Sequence, residues 1–283
     1  MKLQLLRASV LPTLLFSTLM SAQAQVPHVD VSPQSGGQFQ SGNTFQGGGM
    51  QPAQPRIADP QTRARIHTEL AAEYYRVRNF AVALDEIRIA LAAVSDYVPA
   101  ISVQGLIHLE LGEIERAEKE LKRTLELAPK DPAVMNNFGW FLCQSGKARQ
   151  SITYFLDAIK HPLYPTPELA YYNAGVCAIK AGDFEGAENY LQSALRLSRD
   201  GGLGPRTQLA QLSYLRGQLD AARNQVQELL RQLETPTAEL LWLSLRIARK
   251  QGDRGAEGDM AMQLRNRYPT SKEYQEFIKG NFE

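Results

Sequence analysis

The stretch Asn136-Asn137-Phe138-Gly139-Trp140-Phe141-Leu142-Cys143-Gln144-Ser145-Gly146-Lys147-Ala148-Arg149-Gln150-Ser151-Ile152-Thr153-Tyr154-Phe155-Leu156-Asp157-Ala158 decides the fold. Two apolar patterns of helical period flank Gly146, a residue suited to the left-handed backbone that ends a helix. Gly139, Ser151 and Ala158 are small where two antiparallel helices would cross tightly, since a larger side chain there would push the axes apart. Phe155 supplies the large apolar side chain between them. The stretch predicts a helical hairpin.

The same pattern recurs on both sides. Gly112, Gly146, Gly182, Gly217 and Gly252 follow one another at spacings of 34, 36, 35 and 35 residues. With each glycine at position 15 of a 34-residue unit, position 8 is Ala71, Gly105, Gly139, Gly175, Ala210 and Leu245. Position 20 is Ala83, Ala117, Ser151, Ala187, Ala222 and Glu257, and position 27 is Ala90, Thr124, Ala158, Ala194, Leu229 and Leu264. Ile87, Leu121, Phe155, Leu191 and Val226 share position 24, and Pro129 and Pro269 fall at position 32, where a residue without an N–H stops the second helix. A period of this length marks a stacked array in which each unit buries its apolar face on its neighbours.

The small residues at 8, 20 and 27 and the proline at 32 resemble the tetratricopeptide repeat. Six units fit, at 64–97, 98–131, 132–167, 168–202, 203–237 and 238–271. The resemblance implies an all-α, right-handed superhelical solenoid of about six repeats. The first unit has Arg78-Asn79 where the turn glycine should stand, and the sixth has Glu257 at a small-residue position with Gly255 and Gly258 weakening its second helix. Residues 272–283 read as a capping helix and tail, with Tyr274, Phe277 and Ile278 on one face. The three prolines of His161-Pro162-Leu163-Tyr164-Pro165-Thr166-Pro167 stiffen the link to the fourth unit, and residues 199–205 form a breaker cluster before the fifth.

The N-terminal end has another character. Lys2 and Arg7 precede a moderately apolar run from Ala8 to Met20 and a small-x-small close at Ala22-Gln23-Ala24, which reads as a signal peptide over 1–24. The run falls short of the ~20 residues a membrane-spanning helix needs. No cysteine precedes Cys143, so no lipid anchor is expected near the cleavage site. Residues 25–60, rich in Gly, Gln, Ser and Pro, read as a disordered leader. Over the whole chain 31 Lys and Arg face 30 Asp and Glu, a balance that gives no footprint for nucleic acid.

Cys143 and Cys177 fall on the first helices of adjacent units. In an exported chain two such cysteines usually pair, the alternative being two small buried thiols in a helix interface. His28, His67, His108 and His161 are dispersed without metal-ligand spacing, and no nucleophile or phosphate-binding motif is present in the sequence. No enzyme, metal site or cofactor is expected.

Stacked first helices of this repeat type line an inner groove through positions 2, 5, 9, 12 and 13. Those positions place Tyr75, Leu106, Leu109, Asn136, Trp140 and Tyr172 as candidate partner-binding residues, although Leu106 and Leu109 suit packing between repeats equally well. In the sixth unit they give Trp242, Arg246, Arg249 and Lys250, a basic cluster for an acidic partner.

Three segments are more particular than the repeat skeleton: 136–143, the linker His161 to Glu168, and Asn173-Ala174-Gly175-Val176-Cys177 followed by Gly182 and Ala187-Glu188-Asn189-Tyr190-Leu191. With them the chain resembles the PilW (PilF) family of type IV pilus biogenesis and stability proteins over about 63–270. The resemblance implies a periplasmic six-repeat pilotin that helps the outer-membrane secretin assemble, with Cys143 and Cys177 paired. The missing lipobox cysteine and the Gly/Gln-rich leader depart from many members. A general periplasmic scaffold for envelope complexes is the alternative.

Overall fold

The computed structural model describes residues 59–282; the signal-peptide reading and the leader reading up to residue 58 lie outside the described residues, while Asp59 and Pro60, assigned to the leader, cap and open the first helix. Thirteen helices and no strand make up the described part: α1 (Pro60–Arg76), α2 (Phe80–Ala93), α3 (Val98–Glu110), α4 (Ile114–Leu127), α5 (Pro132–Gln144), α6 (Ala148–Ile159), α7 (Pro167–Ala181), α8 (Phe184–Leu197), α9 (Leu203–Leu215), α10 (Leu219–Gln232), α11 (Ala238–Gln251), α12 (Arg254–Arg267) and α13 (Lys272–Lys279). Consecutive pairs form six hairpins, each packed on the next, and α13 closes the stack against α11 and α12. The chain is an all-α tetratricopeptide-repeat solenoid, as the period predicts. Among the described residues no helix is long and apolar enough to cross a membrane.

Helix starts follow local chemistry. Asp59, Asp131, Asp183, Thr237, Asp253 and Ser271 accept hydrogen bonds from first-turn N–H groups that would otherwise lack a partner. Pro60, Pro99, Pro132 and Pro167 sit in first turns, where their missing N–H costs nothing.

The hairpin turns share one hydrogen-bond scheme. The N–H groups of Glu113, Lys147, Asp183, Gln218 and Asp253 donate to carbonyls five residues back, across glycines with φ of 76°, 80°, 76°, 76° and 75°. Asn79 repeats the bond to Tyr74, and Arg78 takes the glycine's place with φ of 59°. Its guanidinium pairs with Glu110 at 3.1 Å and lies over the Phe80 ring at 5.1 Å, contacts that offset part of the cost of a left-handed non-glycine residue.

The tight crossings are as required. A Cβ on Gly105 would lie 2.7 Å from Leu121 Cγ, one on Gly139 2.9 Å from Phe155 Cε1, and one on Gly175 2.5 Å from Leu191 Cγ. Small and large residues therefore interlock within repeats two, three and four. In repeat six Glu257 is buried at its small-residue position, and Arg249 at 2.6 Å and Arg254 at 3.1 Å balance its charge. The linker after α6 is anchored by Tyr164, buried among Phe155, Ala158, Ala170 and Ala174.

At the far end Tyr274 and Phe277 pack on Ala238, Leu241, Trp242, Leu245 and Leu264. Ile278 departs from the expected face and is 60% exposed. The short helix turns Tyr274 and Phe277 onto α11 and α12, and Ile278 stays outside that contact.

Candidate functional site

The first helices α1, α3, α5, α7, α9 and α11 form the inner face. Tyr75, Leu106, Leu109 and Asn136, expected to line it, are 1%, 3%, 8% and 1% exposed. Tyr75, Leu106 and Leu109 belong to the core shared by repeats one to three, because neighbouring first helices pack directly and fill positions 9 and 12 from both sides. Burial, reinforced by Glu110, pushes the Tyr75 phenol far above its ordinary value. Asn136 accepts a hydrogen bond from Asn173 Nδ2 at 3.0 Å, so it fastens α5 to α7 inside the protein. Burial of Tyr75 and Asn136 corrects the expectation from repeat position, and for Leu106 and Leu109 it fits the alternative of packing between repeats.

Trp140 and Tyr172 keep part of their surface. Trp140 packs against both the N-terminal core and the cluster around Phe155, and its indole N–H is buried with no hydrogen-bond partner. Lys180 reaches over the indole ring, with Nζ 5.9 Å from the ring centroid and 2.6 Å from Gln144 Oε1. Desolvation and then Lys272 hold the Lys180 ammonium below its usual value, against the pull of Glu110. Next to Trp140, Cys143 is bonded to Cys177 with the Cα atoms 5.8 Å apart, so a covalent brace joins α5 and α7 at the inner rim.

From Tyr172 a polar chain continues along the face. Burial, then Glu239, pushes the Tyr172 phenol upward, while a hydrogen bond with Gln208 opposes them. Gln208 Nε2 donates to Glu239 Oε1 at 2.6 Å. Gln208, Gln211 and Tyr214 of α9 were missed in the sequence, yet Gln211 and Tyr214 fall at inner-face positions 9 and 12 of the fifth unit.

Glu239 yields a pH prediction. Burial raises its carboxyl, Glu273 adds to this, and Gln208 and Arg246 oppose it. A folded-state value above the unfolded one means the folded chain holds the proton longer, so the ionised carboxylate subtracts stability once pH passes the ordinary glutamate range of about 4.3. Glu239→Gln, still hydrogen-bonded to Gln208, should raise the urea midpoint at pH 7.5 and change it little near pH 4. An equal shift at both values would show that ionisation is not the cause.

The basic cluster of the sixth unit is open only at Arg249 and Lys250. Trp242 and Arg246 are 8% and 7% exposed. Arg246 donates to Gln211 Oε1 at 2.5 Å and lies 4.8 Å from the Tyr214 ring centroid, with Lys250 Nζ over the same ring at 4.3 Å. Arg249 covers the Phe282 ring at 3.9 Å. Aromatic faces attract cations, so rings and the tail of the chain itself hold these side chains in place.

Comparison with known proteins agrees with this architecture. One tetratricopeptide-repeat family model matches residues 68–133 and 138–201, and a second matches 178–240. The type IV pilus assembly protein PilF of Pseudomonas aeruginosa is 29% identical over 165 residues, 58% of this chain. The match spans 65% of PilF, just under two thirds of its length. The crystal structure of PilW, a widely conserved type IV pilus biogenesis factor, superposes with a TM-score of 0.63 at 31% identity, covering 76% of this chain and 98% of that one. The Pseudomonas aeruginosa PilF structure gives a TM-score of 0.57 at 25% identity, covering 78% and 99% respectively. The chain belongs to the tetratricopeptide-repeat family of type IV pilus biogenesis factors.

Proposed function

We propose that the chain is a non-enzymatic periplasmic assembly factor whose inner face binds the outer-membrane secretin of the type IV pilus machinery and promotes its multimerisation or stability. The observation that carries this reading is the rim at repeats three and four, where the Cys143–Cys177 bond fixes the helices presenting the half-buried Trp140 and Tyr172. A rigid aromatic anchor loses little entropy on binding, and such side chains dominate protein–protein affinity. The disulfide fits an oxidising compartment, and the signal-like N-terminus supplies a route there. Family membership points to pilus assembly.

The test substitutes Trp140→Ala and Tyr172→Ala, separately and together, in a piliated cell. With helicity unchanged by circular dichroism, each single variant should reduce secretin retained in a pull-down about tenfold, the scale of one interface anchor, and the double variant should lower multimer yield. Unaltered pull-down and multimer yield in the folded double variant would remove this rim from the mechanism.

A further inference from the structure

We propose that the inner face of repeats five and six is a second peptide site, for an extended segment bearing an aromatic side chain beside carboxylates, and that Phe282 of this chain occupies it as a displaceable resident ligand. This seat is built on α9, α11 and α13 rather than on the α5 and α7 residues around Trp140, and it rests on no pilus component.

The tail enters the site by a defined route. After α13, Gly280 adopts φ of 74° and the Asn281 N–H donates to the Glu276 carbonyl at 3.0 Å, the same turn that reverses the chain in each repeat. Asn281 Nδ2 donates to Glu276 Oε2 at 2.8 Å and secures the turn. The chain is thereby sent back against α11 with no regular structure of its own. Phe282 lands with its ring 5.6 Å from Trp242 and 6.1 Å from Phe277, under the Arg249 guanidinium at 3.9 Å. Its carbonyl accepts a hydrogen bond from Tyr214 Oη at 3.4 Å.

One aromatic anchor in an aromatic and cationic seat, with one main-chain hydrogen bond, is how an extended peptide docks. Arg249 is already paired with Glu257 and Arg246 with Gln211, whereas no carboxylate among the described residues lies within ion-pairing distance of Lys250 Nζ, which faces the same seat over the Tyr214 ring. A side-chain carboxylate flanking an aromatic residue would complement the Lys250 ammonium. Tyr274 and Phe277 also fasten α13 to the α11–α12 core, and those contacts remain when Phe282 leaves. Because the tail is tethered, its effective concentration is on the order of millimolar, and it masks the site until a stronger segment competes.

The probe is a fluorescein-labelled synthetic peptide, Gly-Asn-Phe-Glu-Asp, titrated by fluorescence anisotropy against the full chain and two release variants. Phe282→Ala empties the seat, and Gly280→Val disfavours the turn that sends the tail inward. Both variants should bind the probe at least about tenfold more tightly than the unaltered chain, as removal of a tethered competitor requires. The gain should vanish with Gly-Asn-Ala-Glu-Asp or Gly-Lys-Phe-Lys-Lys, and when Lys250→Ala is added. Affinities within about twofold across the three chains, or no preference among the peptides, would overturn the proposal. So would loss of helicity in Phe282→Ala, because the residue would then be a structural plug.

Discussion

Replacing Cys143 and Cys177 together by alanine should lower the unfolding free energy by about 3–4 kcal/mol. The two residues are 34 apart in sequence, and in the chain-entropy model a loop of that length removes this much freedom from the unfolded ensemble. The bond joins first helices of adjacent repeats, so it also holds the α5–α7 register on which the Asn136–Asn173 hydrogen bond depends. Urea denaturation of the unaltered chain with and without dithiothreitol, beside the double variant, checks the value. Reduced chain and variant should agree within about 1 kcal/mol, the scale of the small packing difference between a buried thiol and a methyl group. A loss below about 1 kcal/mol in both would show that the reduced chain keeps the loop closed by packing alone.

Phe155→Ala should cost about 3–5 kcal/mol, the range for deleting a fully buried phenylalanine. Phe155 is 0% exposed and lies directly against Gly139, where no side chain can move in to fill the space. Repeat three also joins the core of α1–α5 to the cluster around Cys143 and Tyr164. In a quasi-one-dimensional stack a weakened middle unit uncouples its neighbours, so the urea transition should broaden as its midpoint falls. The companion Gly139→Ala, Phe155→Leu recovers volume on both sides of the crossing and should regain part of the loss. A midpoint unchanged by Phe155→Ala would contradict the interlock of small and large residues.

That interlock is what made the fold legible. Two helices can approach closely only where one of them is small, and the chain can reverse so sharply only where backbone enters the left-handed region. Both demands leave marks on single residues at a fixed period. Arg78 shows the limit, since the same turn forms there on a residue that carries no signal, held by Glu110 and Phe80. The inner face was legible only in part. Repeat position places Leu109 and Trp140 on the same helix face, but whether a side chain meets solvent depends on the size of its neighbours in the adjoining repeats. Tyr75, Leu106 and Leu109 are mutually large enough to seal their end, and Trp140 is left at the junction of two clusters. The tail escaped notice for another reason. Gly280 is visible as a turn residue, but nothing local to Phe282 says that it turns back to Trp242 rather than away.

The most direct measurement places a photo-crosslinking phenylalanine analogue at position 140 or 172 on the inner face, and at Arg88 on the exposed side of α2, in cells assembling pili. Irradiation should yield secretin adducts from positions 140 and 172 and none from position 88. Adducts from Arg88 as abundant as those from the inner face, or none from 140 and 172 in folded, exported protein, would contradict partner binding by the groove.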